Sequence, residues 1–154
     1  MTTIAELEIE HINVKFLRLH DDAQIPKQAT FGDAGVDLRS VEPYHLEPGD
    51  TVLVKTGFAI EMPYDTVAQI CSRSGLALKH SIQVLNAPGL VDAGYRGEIM
   101  VVLHNAGRHP FSVEPGDRIA QMMFQRYLVP VFTETDELSD SERGIGGGGH
   151  TGVA

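Results

Sequence analysis

Along most of this chain apolar residues recur at every second position, the period of a strand with one buried face, rather than at helical spacing. Ile12, Val14 and Phe16 follow this rule, as do Val52 and Val54, and Phe58, Ile60 and Met62. Near residue 120, Ile119, Gln121 and Met123 interleave with Ala120, Met122 and Phe124, so a polar amide stands in a row otherwise built for burial. Turn formers punctuate the pattern at Asp21-Asp22, Glu47-Pro48-Gly49-Asp50, Met62-Pro63-Tyr64-Asp65, Asn105-Ala106-Gly107 and Glu114-Pro115-Gly116-Asp117. Short strands at that spacing predict an all-β chain, a sandwich or a barrel.

One stretch departs from the rule. Ser74-Gly75-Leu76-Ala77-Leu78-Lys79-His80 suits one or two helical turns, with Ser74 near the N-cap and Leu76 and Leu78 in the core. From Glu134 the composition turns acidic and polar, then glycine-rich from Gly144 to Gly152. That change predicts a β domain over residues 1–133 and a flexible, glycine-rich C-terminal arm over 134–154.

A chain of 154 residues fits one domain that buries roughly 70% of its unfolded surface. Its single cysteine, Cys71, excludes an internal disulfide and suits a reducing compartment, as a small core residue rather than a nucleophile. The first ten residues lack the apolar core of a signal peptide, and no run approaches the ~18 apolar residues of a membrane span. A soluble intracellular protein, cytoplasmic or similar, is expected, with no membrane partner. The formal net charge of -9 also argues against nucleic acid as a partner. An anionic small ligand would need local arginines, turn N–H groups or a divalent cation. The histidines show no metal-ligand spacing, so a zinc site is not expected.

Chemistry concentrates in five segments. The richest is Asn86-Ala87-Pro88-Gly89-Leu90-Val91-Asp92-Ala93-Gly94-Tyr95-Arg96-Gly97-Glu98-Ile99, flanked by the apolar runs 81–85 and 99–103, which predict a turn carried on two strands. Asn86 offers a paired donor and acceptor, Asp92 a carboxylate and Tyr95 a flat face; an ordinary Asn-Asp-Gly turn is the competing account. In Gly32-Asp33-Ala34-Gly35-Val36-Asp37-Leu38, two acids four apart could hold a hydrated cation or simply cap turns. Arg73-Ser74-Gly75 brings a forked cation and a hydroxyl together, suited to phosphate, or forms a plain capped turn. In Gly116-Asp117-Arg118-Ile119-Ala120-Gln121, Gln121 sits on a face otherwise built for burial and needs a partner, a ligand or a neighbouring backbone. Arg143 to Gly152 brackets a glycine run able to wrap a phosphate.

Taken in chain order, GDAGVDL, SRSGLA, NAPGLVDAGYRGEI, GDRIAQ and RGIGGGGHTG resemble the five motifs of the trimeric dUTP diphosphatases (dUTPases), over nearly the whole chain from Lys15 onward. The resemblance implies a jelly-roll-like β-barrel of the β-clip kind with one short helix, and a homotrimer whose sites are shared among chains. It implies hydrolysis of dUTP at the α-phosphorus to dUMP and pyrophosphate, which keeps uracil out of DNA and supplies dUMP for dTTP synthesis. Asp92 would activate the attacking water. Asp37 would hold Mg²⁺ through water. Asn86, Gly89 and Val91 would read the uracil, and Tyr95 would pack on the deoxyribose. Arg73, Ser74, Gly75 and Gln121 would bind the phosphates, with Arg143 and Thr151 closing over them; His150 either approaches the triphosphate or stands in solvent.

Three positions depart from the family pattern. Ser72 replaces a proline before Arg-Ser-Gly, Gly148 stands where an aromatic or histidine stacks over uracil, and His150 replaces a serine. Stacking of that kind is worth roughly 1–3 kcal/mol per base. Two other readings stay open: a dCTP deaminase on the same fold, separable by ammonia release, and a dUTPase-like regulatory module that binds nucleotide without turning it over.

Overall fold

The computed structural model describes residues 9–147, and all structural statements refer to these. Eleven short strands and one helix follow one another as β1 (Lys15–Arg18), β2 (Val36–Arg39), β3 (Tyr44–Leu46), β4 (Thr51–Lys55), β5 (Phe58–Glu61), β6 (Thr66–Cys71), α1 (Ser74–His80), β7 (Ile82–Val84), β8 (Gly89–Val91), β9 (Met100–Asn105), β10 (Phe111–Val113) and β11 (Arg118–Arg126). The period-two runs all lie on or beside strands, and the turn clusters separate them. The two Glu-Pro-Gly-Asp turns use one device: Asp50 and Asp117 each accept the N–H of the glutamate three residues earlier, at 2.9 Å.

The strand pairs are antiparallel throughout and fall into four sheets, β1-β5, β10-β3, β2-β11-β6-β8 and β4-β9-β7. The jelly-roll-like arrangement is therefore assembled from four sheets around one core, and the ladders do not close into a continuous barrel. Leu38, Leu46, Phe58, Ile82, Ile99, Leu103, Ile119 and Met122 fill that core, drawn from all four sheets. Phe16 stacks on Phe58 with ring centroids 5.0 Å apart, fastening β1 to the body.

The helix is where sequence and structure differ. Arg73, extended at φ −90° and ψ 126°, is the N-cap and makes no side-chain capping bond. Ser74 is thus the first helical residue, and its hydroxyl is not the cap. Leu76 packs against the core, but Leu78 is 87% exposed, because a two-turn helix turns only one face inward and Leu78 lies about 200° around the axis from Leu76. Cys71 is half-buried rather than fully in the core.

Asn105, at the end of β9, is a fully buried amide. Its Nδ2 donates to the carbonyls of Leu46 (3.0 Å) and His109 (2.9 Å), while its Oδ1 accepts from the Gly107 N–H (2.9 Å). The end of β3 and the loop between β9 and β10 depend on it. Asn105→Ala leaves three backbone groups without partners and should lower stability by about 2–4 kcal/mol in chemical denaturation; a loss below about 1 kcal/mol would contradict this role. Among the described residues no helix is long and apolar enough to cross a membrane.

Candidate functional site

The segment from Asn86 to Ile99 is more than a turn. Strands β7 and β9, which flank it, do pair with each other (Ile82↔Asn105, Val84↔Leu103), as the apolar runs predict. Between them, however, the chain leaves this sheet through a cis Ala87–Pro88 bond, lays down β8 on β6 of the four-stranded sheet (Ala68↔Val91, Ile70↔Gly89), and returns. The excursion bridges two sheets and roofs a hollow of 240 Å³ between them. Asn86, Gly89, Val91, Asp92 and Tyr95 all line this hollow, against an apolar wall that includes Val84, Ile99 and Met100.

Local contacts hold the excursion in shape. The Tyr95 N–H donates to the Asp92 carbonyl at 3.0 Å, closing the turn, and Arg96 donates to the carbonyls of Ala93 (2.6 Å) and Tyr95 (3.0 Å). The Tyr95 hydroxyl reaches across to the Glu98 carbonyl at 3.0 Å. A Cβ on Gly97 would stand 2.4 Å from that hydroxyl, so only glycine lets the ring lie there. Glu98 in turn accepts the Gly57 N–H at 2.8 Å, and Ile99 is pinned to the start of β5 by its N–H on the Phe58 carbonyl (2.8 Å) and by the Thr56 hydroxyl. Arg96 also approaches Glu61, 3.9 Å away; the Lys15 ammonium bonded to Glu61, with Arg96 adding to it, holds that carboxyl below the usual carboxylate range. Arg96, Gly97 and Glu98 thus belong to the site's scaffold. In the sequence they stand only as members of the segment Asn86 to Ile99, without roles of their own, because the contacts that matter are tertiary.

Asp92 is exposed, on a ridge between the 240 Å³ hollow and a second hollow of 460 Å³ on the sheet face, walled by Tyr64, Gln69, Leu90 and Tyr127. A group set there can reach a ligand in either hollow.

The remaining motifs converge elsewhere. Gln121 of β11 stands opposite both Asp37 of β2 and Cys71 of β6, so one row across the sheet joins three segments far apart in sequence. The Gln121 amide donates to the Ser72 carbonyl at 3.0 Å, which makes a neighbouring backbone its partner in this chain. Its Oε1 would stand 2.6 Å from a Cβ at Gly35, so that glycine is a space requirement. Asp33 caps its own turn by accepting the Thr30 N–H at 2.9 Å. Asp37 instead pairs with two arginines, Arg73 Nε at 3.3 Å and Arg118 Nη1 at 3.2 Å. Arg73, Asp37 and Gln121 are thereby gathered, with Ser74 and Gly75 exposed beside them; none of these lines the 240 Å³ hollow.

A divalent cation would find the Asp37 carboxylate here, and no group of three His, Cys, Asp or Glu side chains clusters among the described residues. One acid fits a magnesium ion that keeps its waters and takes its other ligands from phosphate oxygens, and does not fit a cation caged by protein. In the arm, Arg143 is exposed and folds onto its own glycine run, Nε donating to the Gly146 carbonyl at 2.7 Å. Gly148, His150 and Thr151 lie outside the described residues.

Comparison with known proteins accords with this geometry. A family model described as dUTPase matches residues 21–152. A deoxyuridine 5'-triphosphate nucleotidohydrolase of Clostridioides difficile is 53% identical over 140 residues, covering 91% of this chain and 98% of that protein. Its counterpart in Alkaliphilus metalliredigens is 50% identical, covering 92% and 98%. Among solved structures, a point mutant of the dUTPase of Staphylococcus bacteriophage 80alpha, with dUpNHpp, superposes with a TM-score of 0.85 at 27% identity, over 92% of this chain and 99% of the other. A point mutant of the phage phi11 dUTPase, whose structure describes a structural Mg(II) ion, is similar in fold, with a TM-score of 0.77 at 23% identity over 83% of this chain and 99% of that one. With the motifs on one scaffold and relatives near half identity over almost the full length, this chain belongs to the dUTPase family.

Proposed function

We propose that this protein hydrolyses dUTP to dUMP and pyrophosphate, with Asp92 as the base that activates water for attack at the α-phosphorus. The observation that carries this reading is the hollow in which Asn86, Gly89, Val91, Asp92 and Tyr95 meet. An amide beside turned backbone matches the edge of a pyrimidine, a tyrosine ring matches a sugar lacking its 2′-hydroxyl, and a carboxylate at the rim can take a proton. A hollow of 240 Å³ is small for a drug-sized ligand but suits a nucleoside. The polyphosphate would extend to Arg73, Ser74, Gly75 and Gln121, whose donors offset its charge. Arg143, with His150 and Thr151, would close over it and exclude water.

Mg²⁺, carried by the phosphate oxygens and held through water by Asp37, would supply charge neutralisation on the leaving pyrophosphate. The chain's own residues orient the substrate around that charge: Arg73 and Gln121 fix the phosphates, and Tyr95 fixes the sugar, so that the water held by Asp92 stands in line. The base-reading hollow and the phosphate-binding row do not share walls within one chain. We therefore read the working site as one shared among three chains. The exposed tail beyond β11 supports this, since Leu128, Val131 and Phe132 are each more than 90% exposed and would be left in water by a lone chain.

The test is product analysis on purified protein. Pyrophosphate should appear from dUTP, ammonia should not appear from dCTP, and EDTA should cut turnover more than tenfold with recovery on adding Mg²⁺. Tight binding of dUpNHpp with no turnover of dUTP would favour a nucleotide-sensing module instead.

A further inference from the structure

Arg118 stands outside the phosphate set, yet two parts of it bear on Arg73, one directly and one through Asp37. Its side chain donates from Nη1 to Asp37 Oδ2 at 3.2 Å, and its backbone carbonyl accepts from Arg73 Nη1 at 3.0 Å. The other oxygen of Asp37 lies 3.3 Å from Arg73 Nε. These three contacts form a closed ring, from the Arg118 guanidinium to Asp37, to Arg73, and back to the Arg118 carbonyl. The register of β11 against β2 shifts between Arg118 and Ala120, beside the residue that makes these contacts.

Burial gives weight to the Asp37–Arg73 edge of the ring, while the Arg118 side chain is 43% exposed. The Asp37 side chain is 19% exposed and that of Arg73 26%, so the pair is shielded more than an ordinary surface contact. Two guanidiniums and one carboxylate leave one net positive charge. Of the five N–H groups of Arg73, one faces Asp37 and one the Arg118 carbonyl, which leaves the rest of the fork for an anion. A flexible arginine would lose rotamer freedom on gripping phosphate; held in advance, it loses less.

We propose that Arg118 is a positioning residue of the polyphosphate subsite: through Asp37 and through its own carbonyl, it presents Arg73 to the incoming phosphates before any metal is bound. Asp37 then has a role independent of Mg²⁺. The proposal rests on the reading that Arg73 binds the phosphate chain of dUTP.

Calorimetric titration in EDTA isolates the ring from the metal. The ligands are dUpNHpp, which carries the whole phosphate chain, and dUMP, which lacks its outer phosphates; the proteins are wild type, R118Q, D37N and the double variant. R118Q should weaken dUpNHpp about fivefold and leave dUMP within about twofold. D37N should weaken dUpNHpp at least as much, and the double variant should match D37N, because both changes cut one linkage. Three results overturn the proposal: dUpNHpp affinity unchanged in R118Q, equal losses for dUpNHpp and dUMP, or losses that add in the double variant, which would mean that Arg118 touches phosphate by itself. If the wild type binds neither nucleotide, the dUTP reading fails and takes this proposal with it.

Discussion

Asp92→Asn should slow dUTP turnover about a thousandfold while dUpNHpp binding stays within about twofold of wild type. The reason lies in what Asp92 does and does not touch. Its carbonyl closes the turn onto the Tyr95 N–H at 3.0 Å, a bond that the substitution leaves alone. Its carboxylate is exposed and lines both hollows, where its proposed role is to take a proton from water. Asparagine keeps the shape and removes the proposed base, so chemistry should fail where binding does not. Retained turnover would remove Asp92 from its assigned role. The same variant tests the sharing of sites. Chains of D92N and R73A, each inactive alone, should recover activity when unfolded and refolded together if Asp92 and Arg73 of one site come from different chains. A site built within one chain would stay dead in every mixture.

The second large effect is expected at a residue with no reactive group. Gly97→Ala would place a Cβ 2.4 Å from the Tyr95 hydroxyl and 2.6 Å from Cζ, an overlap that must be relieved by moving the ring. The ring can move, since Tyr95 is partly exposed, and the fold should survive. The hydroxyl then loses its bond to the Glu98 carbonyl, and the flat face shifts from where the sugar would rest. Steady-state kinetics should show KM for dUTP raised roughly tenfold with kcat largely kept, and a narrower preference for dUTP over UTP. If both KM and the sugar preference are unchanged, Tyr95 does not contact the sugar.

How much of this was legible in advance varies by residue. The period-two runs locate the strands because alternation reports one buried face, and that signal is local. Helix α1 was legible as a helix, whereas its cap and the fate of Leu78 were not, since both depend on how Arg73 is held and on which side the body lies. Gln121 was recognisable as a polar residue in need of a partner, but the choice of the Ser72 carbonyl came from the pairing of β11 with β6. Asp33 and Asp37 look alike along the chain. The structure separates them, one committed to its own turn and the other to two arginines.

By itself, the order of residues determined the all-β class, the turns, and which side chains are candidates for chemistry, because hydrophobic period, turn formers and functional groups are properties of neighbours along the chain. Only the tertiary structure decided that β8 joins a different sheet from its flanking strands, that Asp37 is bound to Arg73 and Arg118, and that Gly97 makes room for Tyr95. Strand pairing brings Asp37, Cys71 and Gln121 into one row from positions far apart along the chain. Contacts made across such separations follow from the packing of the whole core, and no local window of sequence contains them.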